Sequence, residues 1–242
     1  PAVAGRRLRV ALVIGWVLAV AGCGGAGPST STTSDAPTPK LSAAAQLGEA
    51  IFHDTGLSEP AGMSCATCHQ ADTAFATHLT VQPGVVAGHF GVRNSPSLRY
   101  LLFSPSFSFG ADGPVGGFFR DGRAPTLTAQ AQLPFLNADE MANPDVPTLI
   151  AKLAAAPYAA QFRAVWGANV FDDPQVAYAR LGASVAAYQR EDTDFAPFSS
   201  KFDLWRAGQV ALTDRERQGL ALFNDPAKGN CAACHPSTGP DP

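Results

Sequence analysis

Apolar residues recur at helical spacing through the middle of the chain. A helix is expected to begin at an N-cap, Asp173, with Pro174 in its first turn, and to run to Arg190. Within it Leu181 and Val185 stand four residues apart, on the same face. The pattern therefore predicts a long helix with one buried side.

Two more helices are predicted upstream, over residues 147–156 and 157–167, and each opens with a proline. No stretch shows the convincing alternation of apolar and polar residues that marks a strand. Residues 54–64 and 70–118 are rich in turn-forming residues and are expected to be long loops. The predicted fold class is mainly α.

A short apolar pattern occurs twice. "GEAIFHD" (48–54) and "GLALFND" (219–225) share the pattern G-x-A-[IL]-F-x-D, and each is predicted to be helical. Thr213 and Glu216 form a capping box ahead of the second copy. The glycine permits close contact with another helix, and we expect the phenylalanine to pack inward. The repeat indicates two related units.

Each copy of the repeat precedes a C-x-x-C-H motif. "CATCH" spans 65–69 and "CAACH" spans 231–235, and together they use four of the five cysteines. Two thiols at this spacing form the thioether bonds of haem c, and the histidine that follows reaches the iron. A redox dithiol or a zinc site would not explain a histidine directly after both pairs. We therefore expect two covalently bound haem c groups, on Cys65, Cys68 and His69, and on Cys231, Cys234 and His235.

The fifth cysteine, Cys23, follows a segment typical of export signals. Three arginines precede an apolar run over residues 10–21, which at 12 residues is shorter than the about 20 that a membrane span needs. The segment looks like a bacterial lipoprotein signal over residues 1–22, with Cys23 as the lipidated N-terminus. An ordinary signal peptide with a chance cysteine is the alternative. Either reading predicts export, and the first predicts a lipoprotein anchored to a membrane in the periplasm.

Residues 23–40 are expected to be a flexible tether. They are dominated by Gly, Ser, Thr and Pro, and as a coil they would reach roughly 20–25 Å. Loss of residues 1–22 would leave 14 basic and 20 acidic residues, a formal charge of −6. That balance argues against a nucleic-acid partner.

Several ordered motifs over residues 47–235 carry a specific family resemblance. They include "LGEAIFHD", "CATCH", the "RNSP" of "GVRNSPSL", and the "DGRA", "QA" and "EM" within residues 118–141. In these motifs the chain resembles the bacterial di-haem cytochrome c peroxidases and the related MauG-like enzymes. The resemblance implies two cytochrome-c-like domains, here residues 41–205 and 206–242. Because seven residues follow the second motif, we expect the second domain to be incomplete in this chain.

The resemblance also implies roles for particular residues. The haem on His69 would be the peroxidatic one, which takes hydrogen peroxide. Glu140 falls on the family's acid/base glutamate, and Gln130 on its pocket glutamine. Without the resemblance, a solvated acid and a surface amide would be the ordinary interpretations. The haem on His235 would receive electrons from a small cytochrome c or cupredoxin.

Two further ligands are implied by the same resemblance. Asn94 matches a ligand of a calcium ion between the haems, although an asparagine that caps a loop would look the same. His89 is the best match to a histidine that closes the resting peroxidatic haem, with His78 the weaker one. The chain departs from the family at Arg120, where a tryptophan is usual, so radical sharing through that position is in doubt.

The distal ligand of the second haem is expected to lie after residue 242. Met63 and Met141 are the only methionines, and neither is an obvious ligand. A methionine there would favour a peroxidase, and a tyrosine a MauG-like oxidase of a protein substrate. A di-haem electron carrier without peroxide chemistry stays open, and so does the oligomeric state, a homodimer included. The preferred prediction is a di-haem cytochrome c peroxidase.

Overall fold

The computed structural model describes residues 40–111 and 113–238. Helices dominate this part of the chain, as predicted. The helices are α1 (Ala43–His53), α2 (Cys65–Cys68), α3 (Leu127–Leu136), α4 (Val146–Ala155), α5 (Ala159–Trp166), α6 (Pro174–Glu191), α7 (Lys201–Arg206) and α8 (Asp214–Asn224). One two-stranded antiparallel hairpin pairs β1 (Ser108–Gly110) with β2 (Gly113–Val115).

Helix α1 packs closely against α6. A Cβ atom at Gly48 would lie 2.0 Å from the backbone oxygen of Ser184 and 2.8 Å from the Cβ of Tyr188, so only glycine fits at this crossing. Phe52, one turn further along α1, is 1% exposed. The close contact and the inward phenylalanine predicted from the first repeat are confirmed.

An aromatic cluster forms the centre of the core next to α1. The Phe75 and Phe195 rings stack with centroids 4.1 Å apart, and Tyr188 meets Phe195 edge-on at 5.1 Å. Phe52 contacts all three rings edge-on. The cluster joins α1 and α6 to the loop that follows the first C-x-x-C-H motif, and so it fixes that loop.

Predicted helix ends agree closely with the structure. The Asp173 carboxylate accepts hydrogen bonds from the backbone N–H groups of Gln175 and Val176 at the start of α6. The Thr213–Glu216 capping box is formed at the start of α8. Helix α5 begins at Ala159 rather than Pro157, because Ala156 is extended before the proline and its carbonyl closes a turn onto the Ala159 N–H.

Several elements were not predicted, among them α2, α3, α7 and the β1–β2 hairpin. Helix α3 was missed because Pro134 lies in its last turn, and a proline at such a position predicts an interruption of the helix. Thr126 caps the start of α3 through the Ala129 N–H. The β1–β2 hairpin lies inside the predicted loop 70–118, and its three-residue strands are too short to show alternation.

The second repeat is less buried than the first. None of the residues of α8 is buried, and a Cβ at Gly219 would have open space around it among the described residues. The division into domains at residue 206 stays a prediction. None of the helices over 40–111 and 113–238 is long and apolar enough to cross a membrane.

Candidate active site

The first C-x-x-C-H motif opens into a cavity of about 540 Å³. This size is within the roughly 300–1,000 Å³ range of ligand pockets. Cys65, Cys68 and His69 line the cavity together with Glu140 and Gln130. Most of the remaining lining comes from the loop over residues 91–98, the segment 117–123 and α3. The structure therefore brings the first attachment motif and both candidate catalytic side chains to one cavity.

A single helical turn positions the two thiols. The Ser64 N–H donates to Thr67 Oγ1 at 3.0 Å and the Thr67 N–H donates to the Ser64 carbonyl at 3.1 Å, which fixes the start of α2. The His69 N–H closes the turn onto the Cys65 carbonyl at 2.9 Å. Residues three apart on a helix lie on one face, so the thiols of Cys65 and Cys68 share a side.

The thiols are held in their protonated form. Burial raises the pKa of Cys65 to about 12 and that of Cys68 to about 11; the neighbouring Cys68 adds to the first shift and Glu140 to both. Redox dithiols and zinc thiolates depend on a lowered pKa, so this environment disfavours both alternatives. Over 40–111 and 113–238, no three His, Cys, Asp or Glu side chains cluster as metal ligands do.

His69 is oriented by a backbone carbonyl. Its Nδ1 lies 2.8 Å from the Phe75 carbonyl oxygen, and in the tautomer that donates there Nε2 carries the lone pair with which a histidine binds a metal. Burial is the main reason that the pKa of His69 is lowered, which keeps the ring neutral. Phe75 has φ +56°, a strained value for a bulky residue, and the aromatic core holds it there.

Glu140 lies in the turn that follows α3. Asn137 Nδ2 donates to Glu140 Oε1 at 2.9 Å, and the Glu140 N–H donates to the Asn137 carbonyl at 3.0 Å. Burial raises the pKa of Glu140 above its ordinary value, while the Asn137 hydrogen bond and the charge of Arg123 partly oppose the shift. A carboxyl group that binds its proton more tightly than usual, on a cavity wall, is suited to proton transfer.

A second set of hydrogen bonds, made by buried side chains, fixes the turn that carries Glu140. The buried Asn143 side-chain NH2 group donates to the Leu57 and Phe135 carbonyls, both at 2.8 Å. Lys152 Nζ donates to Asn143 Oδ1 at 2.8 Å and to the Ser58 carbonyl at 2.6 Å. The turn that carries Glu140 is thereby tied to α3 and to the loop after α1. Sequence reasoning missed Asn137, Asn143 and Lys152, because none of them belongs to a recognisable motif.

Three arginines, Arg93, Arg120 and Arg123, line the cavity. Asp121 pairs with Arg93 at 3.0 Å and with Arg123 at 2.8 Å, and these two side chains lower the pKa of Asp121 to about 2. Arg120 Nη2 donates to Asn94 Oδ1 at 3.2 Å. The oxygen that the calcium hypothesis assigns to the metal thus contacts a guanidinium here, and the calcium role of Asn94 stays a prediction.

His89 lies outside the cavity. Its ring is exposed, and its Nδ1 is 3.0 Å from Asp139 Oδ1. His78 and His53 are exposed as well. The described arrangement does not bring His89 or His78 to the cavity opposite His69, and a ligand role for either histidine stays a prediction.

The second motif forms a short turn near the end of the described chain. Cys231–Ala233 is a 3-10 helix, and the His235 N–H closes it onto the Cys231 carbonyl at 2.8 Å. Cys231, Cys234 and His235 are all exposed among the described residues. The first motif is therefore the one that the described chain surrounds with a cavity. Cys23 and the predicted signal lie outside the described residues.

The cavity fits a covalently bound haem. It is large and mostly apolar. Two protonated thiols lie on one side of a helical turn, and a neutral imidazole lies beside them. These features define a c-type haem protein with a carboxyl group inside the haem cavity. The chain belongs to the di-haem cytochrome c peroxidase family, whose model matches residues 42–211. This family carries two c-type haems and acts in oxidation–reduction chemistry.

Relatives from both branches of the family match the chain. It is 38% identical over 211 residues to the methylamine utilization protein MauG of Paracoccus denitrificans, covering 84% of this chain and 54% of that protein. It is 34% identical over 196 residues to the cytochrome c peroxidase Ccp of Escherichia coli, covering 78% and 36%. The crystal structure of the diheme peroxidase BthA from Burkholderia thailandensis matches with a TM-score of 0.75 and 39% identity, covering 81% and 50%. The chain thus spans about half, or less, of the length of these relatives.

Proposed function

We propose that the chain carries the peroxidatic half of a di-haem cytochrome c peroxidase. The overall reaction would convert hydrogen peroxide, two electrons and two protons into two molecules of water. A small periplasmic cytochrome c or cupredoxin would supply the electrons. The observation that carries this proposal is Glu140, a carboxyl group with a raised pKa on the wall of the cavity that holds Cys65, Cys68 and His69.

Cys65, Cys68 and His69 would hold the haem, which when bound would supply the electrons needed to break the O–O bond. Glu140 moves the proton: its carboxylate takes the proton from one peroxide oxygen and returns it to the other, which leaves as water. Asn137 holds the carboxylate in position through its 2.9 Å hydrogen bond. The Gln130 side chain, on α3, offers an amide to the peroxide oxygens from the same cavity.

The site of action proposed for this enzyme is the periplasmic face of a membrane. Cys23 would carry the lipid, and residues 24–40 would be the tether. The support comes from the apolar run before Cys23 and from the haem-attachment motifs, since covalent haem attachment normally follows export. Mass determination of the mature N-terminus tests this part, because a lipidated Cys23 has a mass that an ordinary cleaved signal does not produce.

A MauG-like oxidase is the second candidate function. The identity to MauG of Paracoccus denitrificans, 38% over 211 residues, favours it. Such an enzyme would use the same cavity and Glu140, but it would draw its electrons from a protein substrate. Supplying a reduced small cytochrome separates the two candidates, since only the peroxidase consumes it at a rate that follows the peroxide added.

The test of the main proposal uses the intact, haem-loaded protein in its half-reduced state. Rapid reaction of one haem with peroxide, followed by consumption of a reduced cytochrome, is expected. Glu140→Gln is expected to slow the peroxide reaction about 10²- to 10⁴-fold, the usual contribution of general acid–base catalysis. Glu49→Gln is the matched control, because Glu49 is exposed on α1 and does not line the cavity. A rate within a few-fold of wild type for Glu140→Gln contradicts the mechanism, and two haems indifferent to peroxide indicate an electron carrier.

A further inference from the structure

A second cavity adjoins the haem cavity at Glu140. Its volume is about 320 Å³, at the lower end of the roughly 300–1,000 Å³ range of ligand pockets. Seven of the described residues line it, and five of them also line the haem cavity, Glu140, Asn137 and Arg123 among them. The two that line the second cavity alone are Leu133 and Leu136. The carboxyl group of the proposed reaction therefore borders both cavities.

The second cavity is polar toward the haem cavity and apolar away from it. Each of its polar lining residues, Arg123, Asn137 and Glu140, is shared with the haem cavity. Leu133 and Leu136 are three residues apart on α3 and so share a face of the helix. Leu136 packs partly against the core, whereas Leu133 is 47% exposed. Single exposed leucines are common on protein surfaces, but these two extend a cavity away from an acid/base group, and an apolar ligand would cover them.

Part of the wall that the two cavities share is held in place by Arg123. Its guanidinium carbon lies 3.8 Å from the centroid of the Phe119 ring, and its Nη1 donates to both carboxylate oxygens of Asp121, at 2.8 and 3.0 Å. Phe119 has φ +64°, a strained value for a bulky residue, and the cation–π contact helps to hold it there. The boundary between the cavities is thus built from side chains that fix one another.

The proposed proton transfer determines where a substituent on the peroxide would have to lie. Glu140 takes the proton from one peroxide oxygen and returns it to the other, which then leaves. In an organic hydroperoxide only the terminal oxygen carries a proton, so the oxygen that receives it is the one bonded to the organic group. That group must therefore lie beside Glu140, whereas hydrogen peroxide has no atoms to place there. The second cavity offers an apolar space that borders Glu140.

We propose that the second cavity binds the apolar group of a small organic hydroperoxide, and that the protein reduces such hydroperoxides as well as hydrogen peroxide. The O–O bond breaks, the oxygen bonded to the organic group leaves as an alcohol with the proton that Glu140 delivers, and the other oxygen becomes water. One hydroperoxide, two electrons from the reduced cytochrome or cupredoxin and two protons give one alcohol and one water. Leu133 and Leu136 contact the apolar group. The inference rests on the proposed peroxidase function and names a further class of substrate for the same site.

The test compares cumene hydroperoxide with hydrogen peroxide on the intact, haem-loaded protein. The quantity measured is the ratio of the second-order rate constants for the two peroxides, followed by the consumption of a reduced cytochrome. Leu133→Gln keeps a helix-forming side chain but replaces its apolar end with an amide, outside the haem cavity. The ratio of cumene hydroperoxide to hydrogen peroxide should fall about threefold to tenfold, because apolar contact with one partly exposed leucine is lost. An unchanged ratio overturns the inference, and so does a wild-type protein that consumes hydrogen peroxide but not cumene hydroperoxide.

Val176→Gln is the matched control. Val176 lies on α6, is 44% exposed and lines neither cavity. The ratio of the two rate constants should stay at its wild-type value in this variant. Equal falls in Leu133→Gln and Val176→Gln would overturn the inference, since they would show a general effect of a polar substitution on the surface.

A binding measurement separates this inference from the proposed function. The probe is 2-phenyl-2-propanol, the alcohol that cumene hydroperoxide would yield, and its binding to the haem-loaded protein is measured by isothermal titration calorimetry. We expect the dissociation constant to rise about threefold to tenfold in Leu133→Gln and to keep its wild-type value in Val176→Gln. Binding that Leu133→Gln does not weaken overturns the assignment of the second cavity, whether or not the protein consumes peroxide. Weakened binding of the alcohol in a protein that does not turn over hydrogen peroxide would instead refute the proposed function and support the assignment of the cavity.

Discussion

The Asn137 side-chain NH2 group donates a 2.9 Å hydrogen bond to Glu140 Oε1 across the turn that ends α3. The donor stabilises the ionised carboxylate, whereas burial favours its protonated form, and burial is the larger effect on the pKa of Glu140. The reactivity of Glu140 is thus set by two opposing local causes that can be changed separately.

Asn137→Ala should move the acid limb of the peroxide reaction to higher pH. Removal of the donor raises the pKa of Glu140 further, so a smaller fraction is ionised at any pH near that pKa, and the rate falls there first. At alkaline pH, where Glu140 is ionised in both proteins, the rates should converge. The measurement is the second-order rate constant for peroxide as a function of pH.

Asn137→Asp sharpens this test. The aspartate keeps an acceptor for the Asp139 N–H, which Asn137 Oδ1 binds at 3.0 Å, but it donates nothing and adds a negative charge. The acid limb should therefore move further than in Asn137→Ala. If both variants keep the wild-type pH profile of the peroxide reaction, a group other than Glu140 titrates in the acid limb.

Gly48→Ala should destabilise the folded protein. The new methyl group would lie 2.0 Å from the Ser184 backbone oxygen, which cannot move without shifting α6. Overpacking of this kind costs about 1–3 kcal/mol, and the free energy of unfolding of the haem-loaded protein in urea measures it. Glu49→Ala, at the next and exposed position of α1, should stay within about 0.5 kcal/mol of wild type. Equal effects in the two variants would mean that the helix crossing is not tight.

The sequence could predict five of the helices, α1, α4, α5, α6 and α8, and both attachment motifs, because these features depend on neighbouring residues. The repeat predicted a close contact between α1 and another helix, which the structure shows to be α6, and Asp173 and Thr213 were correctly predicted to cap α6 and α8. The contacts between side chains inside the site could not be predicted. Asn94 is hydrogen-bonded to Arg120, which is 26 residues away in the sequence, and Asn143 is hydrogen-bonded to Leu57, which is 86 residues away. Such pairs depend on loop paths, and no local pattern specifies them.

Asn143→Leu should lower both stability and activity. It leaves the Leu57 carbonyl and the Lys152 ammonium without their buried partner, at a cost of about 1–3 kcal/mol in the free energy of unfolding. The turn that carries Glu140 would loosen, so the rate of the peroxide reaction should fall while haem loading is kept. Asn169→Ala, an exposed change, should be neutral within about 0.5 kcal/mol. A stable Asn143→Leu protein would contradict the anchoring role of this side chain.

His89→Ala tests whether this histidine is an iron ligand in the resting protein. The structure places its ring outside the cavity, 3.0 Å from Asp139 Oδ1. If that position also holds in the resting oxidised protein, the variant should show the same haem absorption and electron paramagnetic resonance spectra as wild type. Asp139→Asn, which weakens the same pair from the other side, should also leave the spectra unchanged. Conversion of a low-spin haem to high spin in His89→Ala, but not in Asp139→Asn, would contradict this expectation. It would mean that the loop carrying His89 moves into the cavity and that His89 binds the iron in the resting protein.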